Sequence, residues 1–278
     1  GPTTINLTVT AVDDAPVAVA DSISATEDGA AASGNVLTND INVDAPTDTL
    51  TVIGLRTGTV AAGSGTAGSI GNPLVGIYGS LTINANGGYT YVVDNGLASV
   101  QALRAGQTVN ESFTYSLSDG HSSVAGDITV TITGTNDAPT VIGTPAKIVT
   151  VPIPENASNA ENPGTTIGDL LSDVDHRTVV NDVDTGSTLG IAIYGGSTTN
   201  GMTGTWQYSL DGTHWLTAAP FSTGAALLLP ANAKLRFVAA DNADDTKESG
   251  VATIQYYVWD GSNGVAGDTG DVTSRGNA

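Results

Sequence analysis

A chain of 278 residues with 40% hydrophobic content is long enough for two domains with real cores and is not compositionally disordered. Its 28 acidic side chains against 8 Lys and Arg, a net charge of −20, exclude a nucleic-acid binder, because such a surface repels a phosphate backbone. The same imbalance makes the chain repel itself, a strain that cations would relieve, and the absence of Cys leaves no disulfide to help.

No stretch approaches the ~20 apolar residues of a membrane-spanning helix. The longest apolar run, 225–230 (AALLLP), is strand-sized. Gly1-Pro2 reads as the remnant of a cleaved tag, so an internal fragment without its targeting segment is expected.

The first predicted element is residues 5–10 (INLTVT), whose strict alternation of apolar and polar residues marks a half-buried strand. Pro16 ends it, since proline cannot donate to a ladder. Strands follow at 50–53, 80–84, 89–93, 112–117 and 128–133. The middle pair forms a hairpin around Asn86-Gly87. Residues 57–76, rich in Gly, Ala and Ser, read as a long surface loop, and 98–103 as one helical turn. Further on, TWQYSLDGTHW (205–215) is a hairpin turning at Asp211-Gly212, and KLRFVA (234–239) and TIQYYVW (253–259) are strands. Many short strands with almost no helical periodicity predict an all-β fold of tandem Ig-like antiparallel β-sandwiches.

Comparison of the chain with itself gives its organisation. Residues 5–16 (INLTVTAVDDAP) match 128–139 (ITVTITGTNDAP) without a gap, 123 positions apart. Residues 119–127 (DGHSSVAGD) match 260–268 (DGSNGVAGD), 141 positions apart, each after a Tyr-bearing strand. A third pairing sets 36–44 (VLTNDINVD) against 170–176 (LLSDVDH). The division expected is 1–14, tag remnant plus the last strand of a preceding repeat; 15–138, a complete repeat; and 139–278, a second repeat short of its final strand.

The ordered motifs NVLTND, YGSLTINANGGYTYVVDN, LRAGQTVNESFTYSLSDG and ITGTNDAP resemble the VCBS repeat of giant bacterial surface and biofilm adhesins. Residues 181–275 look like a cadherin-like repeat of RTX-type adhesins. The resemblance implies extracellular Ig-like or cadherin-like modules strung in tandem, with calcium at their junctions.

Calcium takes 6–8 oxygen ligands from carboxylates, amides, backbone carbonyls and water. NDAP is similar to the cadherin inter-domain linker, and PEN and DxD to cadherin ligand motifs. The linker candidates are Asn136 and Asp137; the following loops offer Glu155 (PIPEN) and Asp173 and Asp175 (SDVD); Asp119 is expected on the outgoing turn of the first repeat. The N-terminal junction offers Asp13, Asp14, Glu27, Asp40 and Asp44, while Asp182 and Asp184 (NDVD) form a further acidic cluster. Against this stands a plainer reading: Asp-Gly pairs form turns, and acidic loops are often only solvated. The spacing of an EF-hand is absent.

Catalysis is not expected. His121, His176 and His214 sit in no nucleophile or zinc motif, and there is no G-x-S-x-G, H-E-x-x-H, P-loop or dinucleotide fingerprint. Trp206, Tyr208 and Trp215 flank one hairpin and could stack on a sugar or grip a peptide, although Trp in such a fold usually fills the core. The expected function is therefore a calcium-rigidified extracellular extender of a bacterial adhesin, a monomer whose partners are neighbouring repeats of its own chain. The alternative is a module whose second repeat binds host or biofilm glycan or protein. A shared exposed patch of two or more of Trp206, Trp215 and Trp259 would favour the alternative.

Overall fold

The computed structural model describes residues 3–10, 12–44, 48–141, 160–172, 180–200, 202–240 and 250–272. They are nearly all β, with two four-residue helices, and the chain forms two compact units, Gly1–Thr135 and Asn136–Ala278.

Unit 1 contains β1 (Asp21–Thr26), β2 (Ala32–Asn35), β3 (Thr51–Thr57), β4 (Ala67–Gly68), β5 (Leu74–Val75), β6 (Gly79–Ile83), β7 (Gly88–Val93), α1 (Ala98–Gln101), β8 (Thr108–Ser118) and β9 (Ser123–Thr133). One sheet runs β1-β9-β8-β3-β4 and the other β2-β7-β6-β5. Period-two alternation makes the core between them. Ile128, Val130 and Ile132 of β9 and Phe113, Tyr115 and Leu117 of β8 meet Leu81, Ile83 and Tyr91 of the second sheet. Each such side chain contributes about 1.5–3 kcal/mol by leaving water. The turn joining β6 to β7 carries Asn86-Gly87 as the sequence predicts, and Gly87 supplies the left-handed φ of 82° that it needs.

Glu111 on β8 is an acid in this apolar core, 4% exposed. Its carboxylate accepts the Tyr91 hydroxyl and the backbone N–H of Ile77 at 2.5 Å. A Cβ at Gly76 would lie 2.1 Å from Glu111 Oε2, so glycine there lets the loop come close enough to donate. Residues 57–76 are therefore not one long loop: β4 and β5 edge the two sheets there. Their two-residue length is too short for periodicity to reveal.

Unit 2 contains β10 (Thr140–Val141), β11 (Thr165–Thr166), α2 (Ile167–Leu170), β12 (Val180–Asn181), β13 (Gly190–Thr198), β14 (Gly204–Ser209), β15 (Leu216–Thr217), β16 (Ala226–Pro230), β17 (Lys234–Ala239), β18 (Ala252–Trp259) and β19 (Thr269–Gly270). The sheets β18-β13-β16-β19 and β11-β17-β14-β15 enclose Ile191, Ile193, Leu227, Leu229, Tyr208 and Leu235, and β10 pairs with β12. The outer face of the first sheet has its own small cluster of Ala192, Ala226, Leu228 and Trp259, closed by Val272.

One expectation fails here, because a strand needs a neighbour to satisfy its backbone. Residues 5–10 form no strand; Ile5, Leu7 and Val9 are 83%, 84% and 87% exposed. In unit 1 the segment DGHSSVAGD runs into β9, but its match DGSNGVAGD does not lead to a strand beside β18. There the chain turns back over the outer face, where Gly267 N donates to Leu228 O at 2.8 Å and β19 pairs with β16. Among the described residues, β13 is the only strand paired with β18.

Candidate metal centres

The N-terminal end of unit 1 gathers acids from three places. The β8–β9 turn supplies Asp119, which accepts the N–H of His121 at 2.9 Å and of Ser122 at 2.8 Å. Those donors, Ser122 first, hold its carboxyl below the usual range. The loop at 42–44 (NVD) supplies Asp44, whose Oδ2 accepts the N–H of Asp14 at 2.9 Å. Asn42 shapes this loop: Oδ1 accepts the N–H of Asp44, and Nδ2 donates to Asp48 O at 2.9 Å. The leading segment supplies Asp13, whose carboxyl is raised by partial desolvation and then by Asp119, with Asp44 and Asp48 adding to it and His121 opposing. His121 Nδ1 lies 3.7 Å from Asp13 and 3.8 Å from Asp48, and these three residues each offer a ligand atom within 4.8 Å of the others.

Unit 2 repeats the arrangement. The N–H of Asp137 donates to Asp184 Oδ2 at 3.0 Å, as Asp14 does to Asp44. The N–H of Asp184 donates to Asp182 Oδ1 at 2.9 Å, as Asp44 does to Asn42. Asp260 opens the turn after β18, accepts Ser262 N at 2.8 Å, and is joined to the leading segment by Asn136 Nδ2 at 3.0 Å. Asp184 is 4% exposed and Asp260 6%. Asp137 Oδ2, Asp182 Oδ2 and Asp184 Oδ1 are sealed from solvent, and Asp182 Oδ2 receives no hydrogen bond. Carboxylate oxygens sealed from water call for compensating positive charge. An all-oxygen donor set of carboxylates and one amide fits a hard divalent cation such as calcium.

The structure redistributes the predicted residues. Asp119 is not on the outgoing turn of unit 1 but beside Asp13, at the opposite end, because the eleven residues of β9 separate that turn from Thr135. Glu27 moves the other way. Parallel pairing of β1 with β9 sets Thr26 opposite Thr133, so the fully buried Glu27 accepts the N–H of Thr135 and the side chain of Gln101, both at 3.0 Å. Asp40 also leaves the N-terminal set. It accepts Val19 N at 2.7 Å and the Tyr115 hydroxyl at 2.8 Å, and it faces Asp21, whose carboxyl is pushed up to about 6 by burial and then by Asp40.

In unit 2 the motif with this bonding is Asp182-Val183-Asp184, matching Asn42-Val43-Asp44. The registers agree: Thr140 pairs with Asn181 as Val17 bridges Ile41. Glu155, Asp173, Asp175 and His176 lie outside the described residues. Asn42, Asp48, His121 and Asp260 are site members the sequence reading passed over, and the 141-residue match of Asp119 with Asp260 was the signal for the last.

The aromatic residues are spent on packing. Tyr208 is buried in the unit 2 core; Trp206 packs against it and meets Phe237 edge-to-face at 5.3 Å. Trp215 lies under the Arg236 guanidinium, 3.8 Å from the ring centroid, and Trp259 is buried with its indole N–H on Asn263 O at 2.8 Å.

Residues 13–134 match the family of bacterial cadherin-like domains. No curated protein sequence matches the chain. Among solved structures, human protocadherin-24 EC1-2 is 16% identical over 89% of this chain and 94% of its own, with a TM-score of 0.40. The endo-fucoidan hydrolase MfFcnA4 of glycoside hydrolase family 107 is 16% identical over 81% of this chain but 28% of its own, with a TM-score of 0.27. Both likenesses are too distant to add to the reading. No helix among the described residues is long and apolar enough to cross a membrane.

Proposed function

We propose that this chain is an extracellular adhesion segment whose two units each take calcium at their N-terminal end, and that it serves as a calcium-rigidified extender of a VCBS- or RTX-type bacterial adhesin. The observation that carries the proposal is a recurrence. In both units a leading-segment Asp donates its N–H to the last Asp of an x-Val-Asp loop, beside the Asp of an Asp-Gly turn. The cadherin-like match over 13–134 supports an adhesion-type extracellular module.

In unit 2 the ion would be held by Asp137, Asp182, Asp184 and Asp260 with Asn136; in unit 1 by Asp13, Asp14, Asp44, Asp48 and Asp119. When bound it supplies the positive charge these acids lack and nothing further. The protein's own part is to bring the leading segment onto the loops by the Asp137–Asp184 and Asp14–Asp44 bonds. An ion at such a point ties the incoming backbone to the folded unit and restricts bending there. Extracellular calcium modules typically bind at about 10⁻⁴–10⁻³ M, a range that environmental calcium would fill.

No enzymatic role is proposed. The ligand-binding alternative gains no support, because none of Trp206, Trp215 and Trp259 is exposed. Calorimetric titration with calcium, paired with small-angle scattering in calcium and in chelator, tests the reading. Binding and a more extended, less variable particle in calcium are expected; no heat and no change in scattering would remove it.

A further inference from the structure

We infer that the N-terminal end of unit 1 holds a second kind of metal site, in which the imidazole of His121 and the carboxylates of Asp13 and Asp48 take a borderline divalent ion of the zinc class. The three side chains come from separate parts of the chain: the leading segment, the loop before β3 and the β8–β9 turn. Each is placed by bonds outside the cluster. Asp13 precedes Asp14, whose N–H donates to Asp44 Oδ2 at 2.9 Å, and the segment is bridged again where Val17 meets Ile41. The backbone carbonyl of Asp48 accepts Asn42 Nδ2 at 2.9 Å. The N–H of His121 donates at 2.9 Å to Asp119, itself 6% exposed. All of these residues belong to unit 1.

The spacing suits an ion better than an ion pair. His121 Nδ1 stands 3.7 Å from Asp13 Oδ1 and 3.8 Å from Asp48 Oδ2, whereas a charged hydrogen bond between imidazole and carboxylate closes to about 2.7–2.9 Å. Ligand atoms around a tetrahedral zinc, with bonds of about 2.0–2.2 Å, stand about 3.3–3.6 Å apart. A small adjustment of the solvent-exposed imidazole closes the difference. The donor atoms decide the class of ion. Calcium takes oxygen, while imidazole suits zinc, copper and nickel. Unit 2 supplies the contrast. Carried over with the offsets of the leading segment, the x-Val-Asp loop and the Asp-Gly turn (123, 140 and 141 positions), Asp13 becomes Asn136, Asp48 becomes Thr188 and His121 becomes Ser262. Three of the positions at which the two ends differ are thus the three that converge on one point in unit 1. The inference shares Asp13 and Asp48 with the calcium set of unit 1, but it does not require calcium to bind there.

Isothermal titration of the whole chain with zinc chloride alone is the first measurement, and proton NMR of the imidazole rings during the same titration is the second. Zinc should bind, and the ring signals of His121 should shift more than those of His214. His121→Ser, which puts the unit 2 residue into the turn, should weaken zinc binding by no less than the roughly 10–100-fold that losing an outer-shell partner costs, and Asp48→Thr should do the same. Neither side chain is in the core, so the melting temperature without metal should hold in both variants. Equal zinc affinity in the parent chain and His121→Ser, or ring signals of His121 unmoved by zinc, would overturn the inference. Calcium chloride titrations separate it from the calcium reading. His121→Ser should lower calcium affinity far less than zinc affinity. Zinc binding by a parent chain that gives no heat with calcium would remove the calcium reading and leave this one standing.

Discussion

The N-terminal ends of the two units share a scaffold and differ in burial. In unit 1 Asp13 and Asp14 are exposed and His121 joins the acids. In unit 2 the place of His121 is taken by Ser262, Asp182 replaces Asn42, and Asp184 is almost wholly buried where Asp44 is half-buried, while the turn acids Asp119 and Asp260 are buried alike. The backbone bonds that shape the two ends are the same, so the loop geometry does not require the charges to be buried. What burial changes is the cost of leaving them uncompensated, which is larger in unit 2. Unit 2 should therefore depend more heavily on a bound cation.

Chelation gives the largest contrast. Stripping calcium should lower the melting temperature of unit 2 well beyond that of unit 1; at a hundredfold excess over Kd the ion is worth about 2.7 kcal/mol, a shift of several degrees. Calorimetry in calcium and in chelator measures both transitions, and equal shifts would break the comparison. Next comes the pair Asp184→Asn and Asp44→Asn. The first should weaken calcium binding about tenfold or more, the equivalent of about 1.4 kcal/mol, and the second less, because its site is wetter; isothermal titration of each variant decides.

A pH effect specific to unit 1 should be smaller. Asp21 sits among Asp40, Tyr115 and Tyr89, and its folded pKa of about 6 lies above its unfolded value. The folded state thus holds the proton more tightly, and unit 1 should lose stability as pH rises from about 4 to about 6. Asp21→Asn should flatten that slope in melts across the window and leave unit 1 more stable at neutral pH. The smallest effect belongs to unit 2, where Asp211 raises the pKa of the exposed His214. Its contribution is fully present below the unfolded histidine value of about 6.5 and fades as pH rises through the folded one. His214→Ala should remove a slight stabilisation at pH 5 and none at pH 9, by the same melts.

Much of the fold was legible because period-two alternation and turn residues are local signals. KLRFVA became β17, TIQYYVW lies within β18, and Asn86-Gly87 and Asp211-Gly212 turn their hairpins. Short edges such as β4 and β5 carry no period and were missed. The motif shared by DGHSSVAGD and DGSNGVAGD has two fates, so the path after the turn is set by tertiary packing. The metal-centre candidates were legible as residue types but not as places. Asp119 and Glu27 exchanged ends because strand direction, which decides which turn shares an end with which linker, is a property of the sheet. Counting that β9 must run the length of the unit between Asp119 and Thr135 would have placed both.

The parallel alignment of β1 with β9 has a mechanical consequence. Tension drawn along the backbone enters unit 1 ahead of β1 and leaves beyond β9, so it slides the two strands past each other. Six consecutive registered pairs, from Asp21 with Ile128 to Thr26 with Thr133, then bear the load together and do not open one after another. A pulled unit of this topology resists as a shear clamp, and rupture requires the whole row of hydrogen bonds to fail at once.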